Sequence, residues 1–211
     1  DFVKSIPVWK ALDENALIAY EMNGAPLPHW NGFPARIVVP GWTATYWMKH
    51  VTSITAISKP FDGFWVKSAY RIPRGRFPVI DRFVSQETDA NTPITQMVVN
   101  SLITNVVTGQ QVPAGRPLEV KGIAWDGGYG IARVETSVDG GQTWRTATLG
   151  TDYGRFSFRP WGYALTPSDK GALTLMARAT NRNGATQTFE LIHNPAGYHH
   201  NVVQRVALTV T

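Results

Sequence analysis

From Pro117 onward the chain alternates apolar and polar residues with a period of two. The alternation runs over Pro117 to Trp125, Ile131 to Val138, Thr143 to Leu149, Arg155 to Ala164, Ala172 to Thr180, Thr186 to Ile192 and Val202 to Val210. Such a pattern puts one apolar face on each extended segment. Asp139-Gly140 and Asn181-Arg182-Asn183-Gly184 are turn signals between segments. About seven short strands punctuated by turns predict an antiparallel sandwich of immunoglobulin type. Trp125, Trp144 and Trp161 are the expected packing anchors.

The first part of the chain reads differently. Ser5 to Leu12 suits a short helix with Pro7 near its start, followed by a turn at Asp13 and Glu14. Ala16 to Met22 reads as a strand entering an Asn23-Gly24 turn, Ala35 to Val39 as a strand ended by Pro40-Gly41, and Val51 to Ile57 as another. Between them, Pro26 to Pro34 holds too many prolines for regular structure and predicts an ordered loop. Ser85 to Pro93 is polar and rich in breakers, as a linker would be. The expectation is a mainly β chain with an α+β first part, divided into residues 1–92 and 93–211.

Composition narrows the chemistry. Without cysteine, the chain has no disulfide, thiolate metal ligand, iron–sulfur cluster or cysteine nucleophile of its own. The net charge of +5 is evenly spread, with no basic tail. It mildly favours acidic partners or small anions and gives no phosphate-tracking stripe for nucleic acid. No apolar run approaches the length of a membrane span, and the residues after Asp1 do not read as an export signal, which has been removed or never existed.

Candidate sites are few. Lys67, Arg71, Arg74, Arg76 and Arg82 stand against Asp81 alone, with Tyr70 among them. This is a solvated loop or a mouth for an oxyanion, since guanidinium and phenol groups are directional donors. Ser137-Val138-Asp139-Gly140-Gly141-Gln142-Thr143-Trp144 matches the Asp-box hairpin, but it occurs once, so it reads as a local turn device rather than a propeller blade. His193, His199 and His200 have only Glu190 nearby and read as ordinary histidines rather than a metal site. P-loop, dinucleotide and serine-nucleophile motifs are absent.

The loops carry a more specific pattern. Ser5-Ile6-Pro7-Val8-x-Lys10-Ala11-Leu12, Ala19-Tyr20-Glu21-Met22-Asn23-Gly24-x-Pro26-Leu27-Pro28 and Gly32-Phe33-Pro34-x-Arg36-x-Val38-Val39-Pro40-Gly41 resemble the sulfite oxidase family of molybdenum enzymes. Val120-Lys121-Gly122-x-Ala124-Trp125 and Val134-Glu135-x-Ser137-x-Asp139-Gly140-Gly141-x-Thr143-Trp144 resemble its immunoglobulin-like dimerisation domain. Within the family, the chain looks most like the catalytic subunits of bacterial sulfite dehydrogenases that reduce a c-type cytochrome.

The resemblance implies residues 1–92 as the C-terminal part of a sulfite-oxidase-type molybdopterin domain and residues 93–211 as the dimerisation sandwich. It implies Arg36 near the pterin phosphate, Asn31 where the family usually has histidine, and Trp47, Met48 and Lys49 along the pterin. Tyr70 falls at the active-site tyrosine. Arg71, Arg74 and Arg76 would line the anion entrance or else face solvent or the cytochrome, and a substrate-reaching family arginine is replaced near Ala196. The cofactor would be molybdenum-molybdopterin, whose cysteine ligand lies outside these residues, in an N-terminal part of the same subunit. The electron acceptor would be heme c on a partner cytochrome, the substrate sulfite, the location periplasmic, and the assembly a homodimer through the C-terminal domain or a heterodimer with the cytochrome. Two alternatives stay open: a secreted binding module without redox activity, and nitrate reduction on the same scaffold.

Overall fold

The computed structural model describes residues 2–74, 89–193 and 196–211. Arg76 and Arg82 of the basic loop, the start of the expected linker, and Asn194-Pro195 lie outside them. The chain forms two compact units, Asp1–Met97 with Ile192–Tyr198, and Val98–Leu191 with His199–Thr211.

In the first unit, helix α1 spans only Val8–Ala11. Pro7 precedes it in an extended conformation, and its carbonyl accepts from the Lys10 amide at 2.9 Å. Asp13 ends it: the carboxylate takes the Lys10 ammonium at 2.7 Å and the Asn15 amide at 2.9 Å, an Asx turn that diverts the chain. Strand β1, Leu17–Ala19, pairs antiparallel with β4, Arg36–Val38, placing Ala19 opposite Arg36. Between them β2, Glu21–Met22, and β3, Ala25–Pro26, make a hairpin. Its turn residues Asn23 (φ 54°) and Gly24 (φ 77°) take the left-handed values that Asn-Gly tolerates. The strand expected over Ala16 to Met22 is thus broken at Tyr20. Helix α2, Phe64–Lys67, and the pair β5, Arg71–Pro73, and β6, Asn91–Pro93, follow. A small core of Val39, Trp42 and Tyr46 carries Ile6, Ile37 and Trp47 against it.

Val51 to Ile57, expected as a strand, is irregular. The Val51 amide reaches the Ala35 carbonyl at 3.0 Å, but Ile54 and Ile57 point to solvent. Alternation makes a strand only when a neighbouring strand and an apolar layer are there to use it.

The second unit is a β-sandwich, as its alternation predicts. One sheet orders β11 (Arg145–Thr146), β10 (Ile131–Ser137), β14 (Gly171–Asn181), β15 (Gln204–Val210) and β8 (Gln111–Val112). The other orders β12 (Thr148–Leu149), β13 (Arg159–Leu165), β9 (Leu118–Trp125) and β7 (Asn100–Ile103). Inward residues such as Val120, Ala124, Val134, Leu175, Ala177, Val206 and Leu208 form the core between them. The segment Thr143 to Leu149 is not one strand. It crosses from sheet to sheet at buried Ala147, whose amide bonds the Val134 carbonyl at 2.8 Å.

Of the three expected tryptophan anchors only Trp161 lies in the core. Trp125 packs edge-on to Phe158, and Trp144 lies under the Arg178 guanidinium at 3.9 Å. Thr186 to Ile192 makes isolated bridges rather than a strand, because the Gln187 side chain replaces ladder bonds. It accepts from the Ala179 amide at 2.8 Å and the Ser101 hydroxyl at 2.7 Å, and donates to Asn100 at 2.9 Å.

Candidate functional site

Gly32 closes the short 3-10 turn His29–Asn31 with φ 111°, a backbone that side chains rarely adopt. A β-carbon there would fall 3.0 Å from Arg36 Cβ and 3.1 Å from Lys49 Cα. The glycine therefore lets the Pro26 to Pro34 loop close onto both residues. The Ile37 amide bonds the Met48 carbonyl at 2.8 Å and the Val51 amide the Ala35 carbonyl at 3.0 Å, which brings the segment from Trp47 to His50 alongside β4.

Five residues marked in the sequence, Asn31, Arg36, Trp47, Met48 and Lys49, meet in this cluster. Arg36 donates from Nη1 to the Asn31 carbonyl at 3.1 Å and from Nη2 to the Trp47 carbonyl at 3.3 Å, and its guanidinium lies 5.8 Å from the Trp47 ring centroid. Its third donor, Nε, is buried and has no hydrogen-bond partner among the described residues. Trp47 is held by its indole N–H to the Val39 carbonyl at 2.8 Å. Lys49 Nζ reaches the Trp30 carbonyl at 2.6 Å. Asn31 serves Arg36 through its main chain, and Met48 serves the pairing through its carbonyl.

Two residues of the cluster were missed. His50 (φ 51°) bonds the Phe33 carbonyl through Nδ1 at 2.7 Å, and its ring centroid lies 4.9 Å from that of His29. Adjacency to Lys49 and to the Pro-rich loop was the only sequence signal for them.

Tyr70 belongs to a second group in the same unit. It too has a left-handed backbone (φ 54°), uncommon for an aromatic residue and a strain the surroundings must hold. Its carbonyl accepts from the Ile94 amide at 2.8 Å, and its ring meets Trp65, Phe2 and Tyr198 at centroid distances of 5.7, 6.1 and 5.7 Å. Lys4 Nζ stands 4.8 Å from its ring centroid. Arg71 joins β5 to β6: it bonds the Asn91 side chain, the Asn91 carbonyl at 3.1 Å and the Val66 carbonyl at 3.0 Å. Arg74 donates to the same Asn91 carbonyl at 3.2 Å and is exposed.

No cluster of His, Asp and Glu among the described residues could hold a metal ion. His199 is partly buried, and the loss of solvent pulls its imidazole down to about 4 and keeps it neutral near pH 7. The Asp139 hairpin is structural: its carboxylate accepts from the Thr143 amide and hydroxyl and from the Ser137 hydroxyl.

Comparison with known proteins places the chain in a family. Residues 1–65 match the oxidoreductase molybdopterin binding domain family, and residues 91–211 match the Mo-co oxidoreductase dimerisation domain family. The chain belongs to the sulfite oxidase family of molybdenum enzymes. It is 33% identical to human mitochondrial sulfite oxidase over 98% of its own length and 39% of that protein. With chicken sulfite oxidase it shares 36% identity over 76% of the chain and 34% of that protein. A tomato NADH nitrate reductase is 28% identical over 92% of the chain and 23% of its own length. The sulfane dehydrogenase SoxCD of Paracoccus pantotrophus shares the fold, with a TM-score of 0.76 at 24% identity, over 98% of this chain and 53% of that one. The chain thus spans about two fifths of its mammalian sulfite oxidase relatives.

The cofactor of the sulfite oxidase family suits this cluster. A buried guanidinium nitrogen without a partner calls for an acceptor, and a pterin phosphate is an acceptor with the charge a guanidinium favours. Gly32 keeps the approach to Arg36 clear of a side chain.

Proposed function

We infer that the complete protein oxidises sulfite to sulfate at a pterin-bound molybdenum centre and passes the electrons to a c-type cytochrome in the periplasm. The observation that carries the reading is the buried, unpartnered Nε of Arg36 at the meeting of Asn31, Trp47 and Lys49. When bound, the cofactor would supply the redox chemistry: sulfite and water give sulfate, two protons and two electrons.

This chain's residues do the holding and orienting. Arg36 would bind the pterin phosphate with the donor it has spare, and Lys49 would add a second positive charge at the cluster's exposed side. Trp47 braces the guanidinium, and the Met48 carbonyl fixes the segment that lies along the pterin. Tyr70 would donate its phenol to the sulfur oxyanion, with its ring caged by Trp65, Phe2 and Tyr198. The domain match over residues 91–211 supports a homodimer formed through the sandwich.

The exposed apolar side chains of the first unit, Val8, Trp9, Leu12 and Trp30, are each more than 65% accessible. They would be covered by the rest of the molybdopterin domain, which also carries the cysteine ligand. Elemental analysis and a cytochrome c reduction assay on the complete protein test this together. Molybdenum with sulfite-dependent reduction is expected. Molybdenum with nitrate turnover alone would move the activity to the nitrate reductase branch, and a metal-free protein would favour a binding module.

A further inference from the structure

Lys4 occupies an uncommon place for a lysine. Its side chain is half-buried, and its ammonium lies 4.8 Å from the ring centroids of both Tyr46 and Tyr70 while donating to the Trp65 carbonyl. No carboxylate pairs with it among the described residues. The like charge of Arg71 also acts on the ammonium and disfavours it. Two aromatic faces attract a cation but do not neutralise it. An uncompensated charge held inward in this way is poised to meet an anion.

The two tyrosines it touches are unequal. Tyr46 has its phenol committed to the Ile94 carbonyl at 2.6 Å. Tyr70 is tied through its main chain to the same residue, since its carbonyl accepts from the Ile94 amide at 2.8 Å, and its hydroxyl makes no hydrogen bond among the described residues. The backbone at Tyr70 takes a left-handed conformation that the surrounding structure must hold. The ammonium lies over that ring, which also meets the rings of Trp65, Phe2 and Tyr198.

We propose that Lys4 is a positioning residue for Tyr70: it fixes the phenol for a sulfur oxyanion, and its charge draws that anion to the Tyr70 locus. The proposal rests on the sulfite-oxidising reading given above. It also makes the locus pH-dependent. Burial, and then Arg71, pull the ammonium down to about 8. The other groups acting on it are Arg71, which keeps its charge, Tyr46, whose phenol burial pushes up to about 12, and Tyr70, whose ring meets that of Tyr198. Lys4 therefore loses its charge near pH 8, where Arg71 keeps its own and Tyr46 stays neutral.

The test uses the complete, molybdenum-loaded enzyme as wild type, Lys4→Met, Lys4→Arg and Tyr70→Phe. Sulfate binding is measured by calorimetry at about pH 6.5 and about pH 9.5, because sulfate itself does not titrate there. Steady-state sulfite kinetics are run in parallel. Wild type should bind sulfate about tenfold more weakly at the higher pH, Lys4→Arg equally at both, and Lys4→Met weakly at both. Lys4→Met should raise the KM for sulfite by a similar factor, with molybdenum content unchanged.

A wild-type sulfate profile in Lys4→Met overturns the proposal, as does a Lys4→Arg enzyme that loses affinity at high pH like wild type. The second comparison decides the matter alone if Lys4→Met does not fold. Failure of the underlying reading looks different: Tyr70→Phe would then be unimpaired, or the wild type would not turn over sulfite.

Discussion

Gly32 and Lys49 approach so closely that a β-carbon on the glycine would stand 3.1 Å from both the Cα and the Cβ of the lysine. Gly32 also holds φ 111°, so alanine there meets contact strain and backbone strain together. Gly32→Ala should cost about 1–3 kcal/mol of local stability. It should also lower the molybdenum content of the complete protein, because the loop and the Lys49 segment would be pushed apart. Metal analysis of purified protein checks this, and full loading would show that the close approach is incidental.

Arg36→Met should empty the cofactor site more severely than Arg36→Lys. The arginine holds two carbonyls and retains a third donor, whereas lysine offers charge without the fork. A charge-assisted bond of about 1.5–3 kcal/mol corresponds to roughly ten- to a hundredfold in affinity. Pterin and molybdenum retention through gel filtration measures the difference between the two variants.

Lys4 leaves a signature in stability as well as in binding. Its folded pKa of about 8 lies below its ordinary value of 10.5. Between those limits the unfolded chain binds more protons, so this group makes stability rise with pH across that window and holds its full penalty below about pH 8. Lys4→Met should abolish that rise. Thermal midpoints of both proteins from pH about 7 to about 10 give the comparison, and parallel curves would count against the burial of the charge.

Asp139 is held well below the usual carboxylate range, first by the Thr143 hydroxyl and amide and then by the Ser137 hydroxyl. Its contribution is present above the unfolded carboxylate value and is lost as pH falls through the folded one. Asp139→Ala should lower the thermal midpoint at neutral pH, with the gap to wild type closing in strong acid. Sulfite turnover at moderate temperature should be unchanged, because the hairpin lies in the sandwich unit.

Gly122 faces Trp161 so directly that a β-carbon would overlap the indole and the Leu102 carbonyl. Gly122→Ala should therefore destabilise the sandwich by about 3 kcal/mol, the upper range for overpacking a filled core. Chemical denaturation would show it, and a loss under ~1 kcal/mol would mean the tryptophan moves aside cheaply.

Much of the sandwich was legible because alternation and a two-sided apolar core are the same fact seen in one and three dimensions. Val120, Ala124, Leu175 and Ala177 lie where the period of two puts them. Where the alternation lacked a partner strand, as at Ile54 and Ile57, it predicted wrongly. Where a side chain took over the ladder, as at Gln187, a strand signal became a pair of bridges. The two strands β7 and β8 went unseen because Asn100-Ser101-Leu102-Ile103 and Gln111-Val112 are too short or too polar to carry a period.

The functional cluster divides in the same way. Its residue types and the Gly-Phe-Pro loop were readable in order along the chain, and so was the lack of any cysteine to bind molybdenum. Which side chains are spent and which are spare was decided only by folding. Arg71 turned out to be a strand tie, Arg36 kept one buried donor unmatched, and Lys4, silent in the sequence, came to rest on Tyr70. Composition and local pattern set the elements, because those depend on near neighbours. Charges and hydrogen-bond donors acquire their roles from burial and from partners on other elements, 20 residues away for Arg71 and Asn91 and 61 for Lys4 and Trp65, and only the tertiary structure supplies those.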